Sequence, residues 1–338
     1  MDAVVIKLIF ALFFSFTISW YLIPLLKKIA FTFKFIDVPD GKVKTHERPV
    51  AYLGGLAVYG GFIATLALVL PFENQLNSLF VGSTILLFIG LLDDLVPLRP
   101  LQKFTGQLIA ALCFLKAGFY LKEQFFFTWW HIPLSLLWML TIINAFNLID
   151  VMDGLATLVA INCAAGFLIL AWLYHLNAVV IVLGALLGAL LSFFLVNKPP
   201  ATMYLGDAGS LFIGGILGAI PFLFPWSYYN SLGLLSPMIL LALPLIEIAG
   251  LIVIRTAKKI PFYRPSRDHF CHILRRRGLS VKQVLLCVQL FSLYQLAVVV
   301  AWTFKPLPWW WIGIHAVLFL SLWIGALSTQ LYRSILPY

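Results

Sequence analysis

Charge is what this 338-residue chain has least of. Asp and Glu number 13, and all charged residues make up 11% of the sequence, against about 25% in a soluble protein. That shortage excludes a water-facing globule of this size. Cysteine is sparse too: Cys113, Cys163, Cys271 and Cys287 form no CxxC pair or regular spacing, so neither a disulfide framework nor a thiolate zinc site is expected. Cys113, Cys163 and Cys287 read as filler in apolar surroundings. No internal repeat, Gly/Ser linker or long polar run marks a domain boundary. Short strands of alternating polarity are missing as well, which argues against a transmembrane β-barrel.

What the chain does have is apolar length. It is 62% hydrophobic, with a mean hydropathy of +1.00, and runs such as "AVVIVLGALLGALLSFFLV" match the roughly 20 residues that cross a hydrocarbon core as a helix. The expected fold is an all-α polytopic membrane protein. Its transmembrane helices, about 11 in all, fall near 4–25, 51–71, 79–97, 104–121, 132–149, 155–175, 178–196, 210–225, 233–254, 283–304 and 309–331. They form one integral membrane domain over 1–338. The first apolar run lacks a small-residue cleavage pattern and reads as a membrane helix rather than a removed signal peptide.

Charge placement sets the expected orientation. A net charge of +10 is explained by loops rather than by nucleic acid. With the N-terminus outside, 19 of the 23 Lys and Arg residues fall in inner loops, chiefly 26–50, 98–103, 197–209 and 255–282. The positive-inside rule makes that side cytoplasmic. The same topology carries Asp93, Asp94, Asp150, Asp153 and Asp207 to the cytoplasmic face. Five carboxylates gathered there repel one another unless a cation binds among them.

Three stretches carry the chemistry. In "LLDDLVPLRPLQKF", Asp93 and Asp94 end a span, where a helix dipole favours cations; they suit a metal or a proton, with Lys103 as a phosphate-binding charge, or they are a solvated helix end. In "NAFNLIDVMDGLA", Asn144, Asn147, Asp150 and Asp153 recur every third residue and so share one face of a helix. Their oxygens are hard ligands suited to Mg²⁺, although Asn144 alone is equally explained by bonding between helices. In "YLGDAGSLFIGG", Asp207 lies between glycines before a span, and Ser210 with the following amides opens a helix N-terminus suited to phosphate oxygens; Asp207 or Ser210 could instead be a plain N-cap.

Two loops complete the set. His269 and His272 lie three residues apart among Arg264, Arg267, Arg275, Arg276 and Arg277, a surplus of cations that favours diphosphate over metal. Contact with acidic lipid headgroups accounts for part of the Arg275–Arg277 run. Lys44 and His46 share a face with the acids and are included on that ground. An embedded acidic site with a basic rim implies one lipid substrate and one phosphate-bearing substrate from the cytosol, with neutralisation of phosphate charge as the main task.

In order along nearly the whole chain, these motifs resemble the polyprenyl-phosphate N-acetylhexosamine-1-phosphate transferases, in particular the WecA and TagO branch. "DVPDGKVKTHERPVAYLGG" is similar to DxPxxRKxHxxxxPxxGG, "LDDLVPLRPLQK" to DDxxxL with a downstream lysine, "NAFNLIDVMDGLA" to NxxNxxDGxDGLA and "GDAGS" to GDxGS. "HFCH" stands in the place of HxHH.

The resemblance implies transfer of an N-acetylhexosamine 1-phosphate from a UDP-sugar to undecaprenyl phosphate, at the start of O-antigen, teichoic acid or capsule synthesis. GlcNAc is the default sugar. Fucosamine and quinovosamine are variants, and MurNAc-pentapeptide is disfavoured by the missing triple-histidine loop. The resemblance also implies Mg²⁺, with Mn²⁺ as its substitute, held by Asp207 and Asn147. It places Asp93, Asp94, Asp150 and Asp153 at the reacting phosphates, and Lys44, His46, Lys103, Asn144, Arg267, His269 and His272 on the substrates. The setting is a multi-pass protein of the bacterial inner membrane, with a homodimer plausible for the family.

Three letters depart from the pattern: Val151 for glycine, Cys271 for histidine, with sugar choice in doubt, and Glu247 for aspartate. The competing class, an ion-coupled transporter, expects acids near the bilayer midplane and matched halves. Neither is found in the sequence.

Overall fold

A segment crossing hydrocarbon must bond its own N–H and C=O groups, which a lone segment achieves as a helix. The computed structural model follows that rule. It describes residues 3–38, 49–70, 74–122, 128–230, 232–261, 266, 268–304 and scattered positions between 308 and 321. Among these, 6 helices are long and apolar enough to cross a membrane, or 7 if a bent pair counts as one span. The first ten expected spans each coincide with a helix or the bent pair, while 309–331 lies largely outside the described residues. The chain divides into two compact units, Met1–Phe224 and Pro225–Tyr338.

The first unit contains α1 (Ala3–Thr32), the short strands β1 (Ile36–Asp37) and β2 (Val50–Ala51), then α2 (Gly54–Val69), α3 (Asn74–Leu95) and α4 (Pro100–Lys116). It continues with α5 (His131–Ile149), α6 (Leu155–Leu173), α7 (Asn177–Asn197) and α8 (Gly206–Ala219), the last extended by a 3-10 turn at Ile220–Leu223. Of the candidate spans, α8 is the most enclosed and α1 the least. Helices α2, α3, α5 and α6 pack around α8. Its sequence, "GDAGSLFIGGILGA", explains why. Lipid offers no hydrophobic drive between helices, so close backbone approach over small residues does the packing. A Cβ on Gly55 of α2 would strike the backbone of Gly209, and one on Gly214 would come within 2.8 Å of the Ile143 Cα in α5.

At one end of this bundle the backbone is stitched across three segments. β1 and β2 pair antiparallel, with Ile36 opposite Ala51 and Asp37 opposite Val50. The Tyr204 N–H donates to the Ala51 carbonyl at 2.8 Å, and the Gly54 and Gly55 amides donate to the Tyr204 and Leu205 carbonyls at 3.1 and 2.9 Å. The approach to α8 and the approach to α2 are thereby fixed to each other. This end also holds the C-termini of α3, α5 and α7.

The second unit contains α9 (Ser236–Leu240), α10 (Ala242–Ala257), α11 (Phe270–Arg276) and α12 (Val281–Phe304). The expected span 233–254 is not straight: its two halves meet at 71°. Pro244 explains the break, because it has no N–H to offer the Leu240 carbonyl and its ring crowds that carbonyl. Trp302 of α12 is fully buried, and Ser236 and Thr303 bond across the unit at 3.0 Å.

Candidate active site

Four residues from four helices converge at the stitched end of the first unit. Lys103, in the first turn of α4, points its ammonium at the Asp93 Oδ2 of α3 at 2.9 Å. The same nitrogen donates to the Asn147 Oδ1 of α5 at 3.1 Å and forms an ion pair with the Asp207 Oδ2 of α8. Asn147 turns its other end to the same helix, donating from Nδ2 to the Asp207 Oδ1 at 2.7 Å and to the Ser210 Oγ at 3.1 Å. The second oxygen of Asp93 accepts the Leu98 N–H at 2.6 Å, which holds the turn after α3. Three hard oxygens thus surround one cation.

The N-terminus of α8 is capped from another helix. Neither Asp207 nor Ser210 caps it, and Leu205 at the N-cap position makes no side-chain bond. Asp94 does the work: Oδ1 accepts the Asp207 N–H at 2.8 Å and Oδ2 the Ala208 N–H at 3.0 Å. Those are the second and third amides of the helix, the pair a capping oxygen satisfies. Gly206 has φ +72°, and a Cβ there would sit 2.6 Å from the Asp94 Oδ2. A side chain at 206 would therefore meet both a left-handed backbone and the cap itself.

The rest of the "NAFNLIDVMDGLA" stripe divides by role. Asn144 donates to the Gln107 Oε1 of α4 at 2.8 Å and to the Leu140 carbonyl at 2.8 Å, and Gln107 returns a bond at 3.3 Å. Its amide is committed to the α4–α5 contact. Asp150 ends α5 at its C-cap. Burial, reinforced by the charges of Asp207, Asp94 and Asp153, pushes the Asp150 carboxyl well above the usual carboxylate range. Asp153 accepts the Ala201 N–H at 2.9 Å, so its carboxylate ties the α5–α6 turn to the segment leading into α8. Among the described residues of this turn, the left-handed φ belongs to Gly154, at +74°, and not to Val151. A β-branched residue is therefore tolerated where the resemblance expects glycine.

In the second unit, Glu247 of α10 and His269 are both buried, and the His269 Nδ1 lies 2.9 Å from the Glu247 Oε1. The Phe270 N–H, at the start of α11, also points at this carboxylate at 3.3 and 3.4 Å. His272 meets His269 edge to face, with ring centroids 5.9 Å apart. Cys271 is fully buried, and burial pushes its thiol up to about 12. The Cys271 side chain packs inward. Beside this pair, Lys258 bonds Asp268 at 2.7 Å and Arg255 donates to the Ser266 Oγ at 3.1 Å. Lys44, His46 and Arg267 lie outside the described residues.

Several participants were missed in the sequence. Gln107 reads as an ordinary helix polar because its partner is far along the chain, and the bond of Ser210 to Asn147 joins residues 63 apart. Asp37, bonded to Tyr52, carried one signal, the first letter of the "DVP" motif. The Glu247–His269 pairing joins residues 22 apart, and nothing local announces it.

A divalent ion suits the donor set by its chemistry. Among the described residues no group of three His, Cys, Asp or Glu side chains is placed to hold a metal. However, Mg²⁺ takes one or two carboxylates, keeps several waters and shares itself with phosphates. The Asp207 carboxylate and the Asn147 amide oxygen, already converging on a cation, meet that requirement.

The family model described as "Glycosyl transferase family 4" matches residues 76–224, a stretch that contains Asp93, Asp94, Lys103, Asn147, Asp150, Asp153 and Asp207. The "Probable undecaprenyl-phosphate N-acetylglucosaminyl 1-phosphate transferase" of Bacillus subtilis (strain 168) is 29% identical over 309 residues, covering 86% of this chain and 84% of that protein. The "Undecaprenyl-phosphate alpha-N-acetylglucosaminyl 1-phosphate transferase" of Escherichia coli (strain K12) is 24% identical over 277 residues, covering 78% of this chain and 75% of that protein. The "Phospho-N-acetylmuramoyl-pentapeptide-transferase" of Geobacillus thermodenitrificans (strain NG80-2) is 30% identical over 245 residues, covering 63% of this chain and 74% of that protein.

Proposed function

Because the chain belongs to glycosyl transferase family 4, we propose that it transfers N-acetylglucosamine 1-phosphate from UDP-N-acetylglucosamine to undecaprenyl phosphate. The products are undecaprenyl-diphosphate N-acetylglucosamine and UMP, and the reaction opens a cell-envelope polysaccharide pathway. The observation that carries the reading is the convergence of Asp93, Asp207 and Asn147 on the Lys103 ammonium. With a divalent ion on Asp207 and Asn147, Lys103 would be left to neutralise phosphate charge, which is most of what phosphoryl transfer asks of a protein.

An oxygen of the lipid phosphate attacks the sugar-bearing phosphorus of the UDP-sugar, and the bond from that phosphorus to the UMP oxygen breaks. Lys103 pairs with the lipid phosphate and Asp93 orients it. A phosphate monoester is already largely ionised near neutral pH, so Asp93 positions the nucleophile more than it deprotonates it. Asp207 and Asn147 hold Mg²⁺, which when bound supplies charge neutralisation at the diphosphate. Asp150 and Asp153 position the diphosphate and nucleoside, while Lys44, His46, Arg267, His269 and His272 recognise the UDP-sugar. The setting is the bacterial inner membrane, with the N-terminus outside, eleven spans in one transferase domain and the site on the cytoplasmic face.

A second reading, UDP-MurNAc-pentapeptide as donor, is favoured by the 30% identical relative. The N-acetylglucosaminyl relative of Bacillus subtilis matches more of this chain, 86% against 63%, and favours the first. The test is UMP release by purified protein given Mg²⁺, undecaprenyl phosphate and each UDP-sugar in turn. UMP is expected with UDP-N-acetylglucosamine, and its absence with every hexosamine donor would overturn the reading.

A further inference from the structure

Lys103 satisfies each oxygen group that the proposed metal needs. Its ammonium pairs with Asp207, accepts the Asn147 oxygen as a partner at 3.1 Å and reaches Asp93 at 2.9 Å. An ammonium has three N–H bonds to give, and these three contacts use them all. Lysine is therefore an internal cation filling the oxygen cage. A divalent ion drawing on Asp207 and Asn147 would place a second positive centre within one coordination radius of Nζ, so the two cations cannot share the cage. We infer that Lys103 is a removable placeholder whose exchange couples metal binding to lipid-phosphate binding. The inference rests on the proposed assignment of the metal to Asp207 and Asn147.

The physical argument runs in both directions. An arriving lipid phosphate offers Lys103 a stronger anionic partner and draws its ammonium off, which clears the oxygens for the divalent ion. An arriving divalent ion expels the ammonium from Asp207 and Asn147, which leaves it on Asp93 with two N–H bonds available to phosphate. Linkage makes the two effects equal in size. Lysine suits the part because its long flexible stem carries a point charge between sites; a rigid bidentate guanidinium would stay locked on one carboxylate. Asp93 touches Lys103 without belonging to the metal pair, and so gives the ammonium a pivot between its two positions.

The test measures Mn²⁺ binding by electron paramagnetic resonance on the full-length protein in detergent, with and without farnesyl phosphate. Wild-type protein is expected to bind Mn²⁺ weakly alone and at least about tenfold more tightly with farnesyl phosphate. Lys103→Met, which keeps length and loses charge, should bind Mn²⁺ about tenfold more tightly alone and respond little to farnesyl phosphate. Lys103→Gln serves if the Met variant does not fold. Unchanged or weaker Mn²⁺ binding in the folded variant overturns the placeholder role. Asp207→Asn separates the two levels of the argument. If it leaves Mn²⁺ affinity unaltered, the metal assignment itself falls and the placeholder with it. If it weakens Mn²⁺ while Lys103→Met has no effect, the placeholder alone falls.

Discussion

Replacing Asp94 by alanine removes both acceptors at the start of α8 and leaves the Asp207 and Ala208 amides without their partners. Loss of a cap costs about 1 kcal/mol, and a lower unfolding temperature in detergent is the expected reading. The same change frees Asp207 to shift, and a displacement of even an ångström in a phosphoryl-transfer site costs about a hundredfold in rate. UMP release should fall by that order while the protein remains folded. Asp150 gives a different prediction, one in pH. Its carboxyl is raised well above the usual range by burial and then by the charges of Asp207, Asp94 and Asp153. The native state therefore binds a proton that the unfolded chain gives up near its ordinary value of about 4. Metal-free stability must then fall as pH climbs from that value towards the raised native one. Asp150→Asn should abolish this decline and melt higher than wild type near neutrality, with the difference gone near pH 4; thermal melts at several pH values decide it.

At the scale of elements, α8 depends on its neighbours' lack of side chains. Gly55→Val would drive a branched side chain into the Gly209 backbone. Overpacking of that kind costs about 1–3 kcal/mol, and the variant should lose both melting temperature and UMP release because α8 carries Asp207. Six of the helices were legible beforehand because each is an apolar run of membrane length. The arrival of Asp93, Asp150, Asp153 and Asp207 at one end was legible too, since alternating spans leave no other place for them. The Asp94 cap was not legible. In sequence it is the twin of Asp93, and only the approach of α3 to α8 gives the two carboxylates separate work. The bend before Pro244 was also hidden, because hydropathy runs smoothly through "LLALPLIEIAG" while the missing N–H acts on a carbonyl four residues back. Asn144 carried two readings in sequence, a ligand of the stripe and a bond between helices, and its bonds with Gln107 are those of a helix contact.

For the whole molecule, the distribution of Lys and Arg makes a claim about sidedness. Lys198, exposed just after α7, belongs to the loops proposed to face the cytoplasm. In a background without the native cysteines, Lys198→Cys should resist a membrane-impermeant maleimide in intact cells and react after permeabilisation. Labelling in intact cells would reverse the orientation and place the carboxylate cluster outside.

The backbone stitch among Ala51, Gly54, Tyr204 and Leu205 has a consequence for how such a chain can change over generations. Its bonds use main-chain atoms, so they survive a change of letter wherever a side chain has room, which Gly54 and Gly55 do not offer. One residue gained or lost between Ala51 and Gly54 would turn α2 by about 100° and carry Gly55 away from Gly209. Apart from Gly54 and Gly55, this corner should accept substitutions and reject insertions, a difference that a deep mutational library containing both would expose.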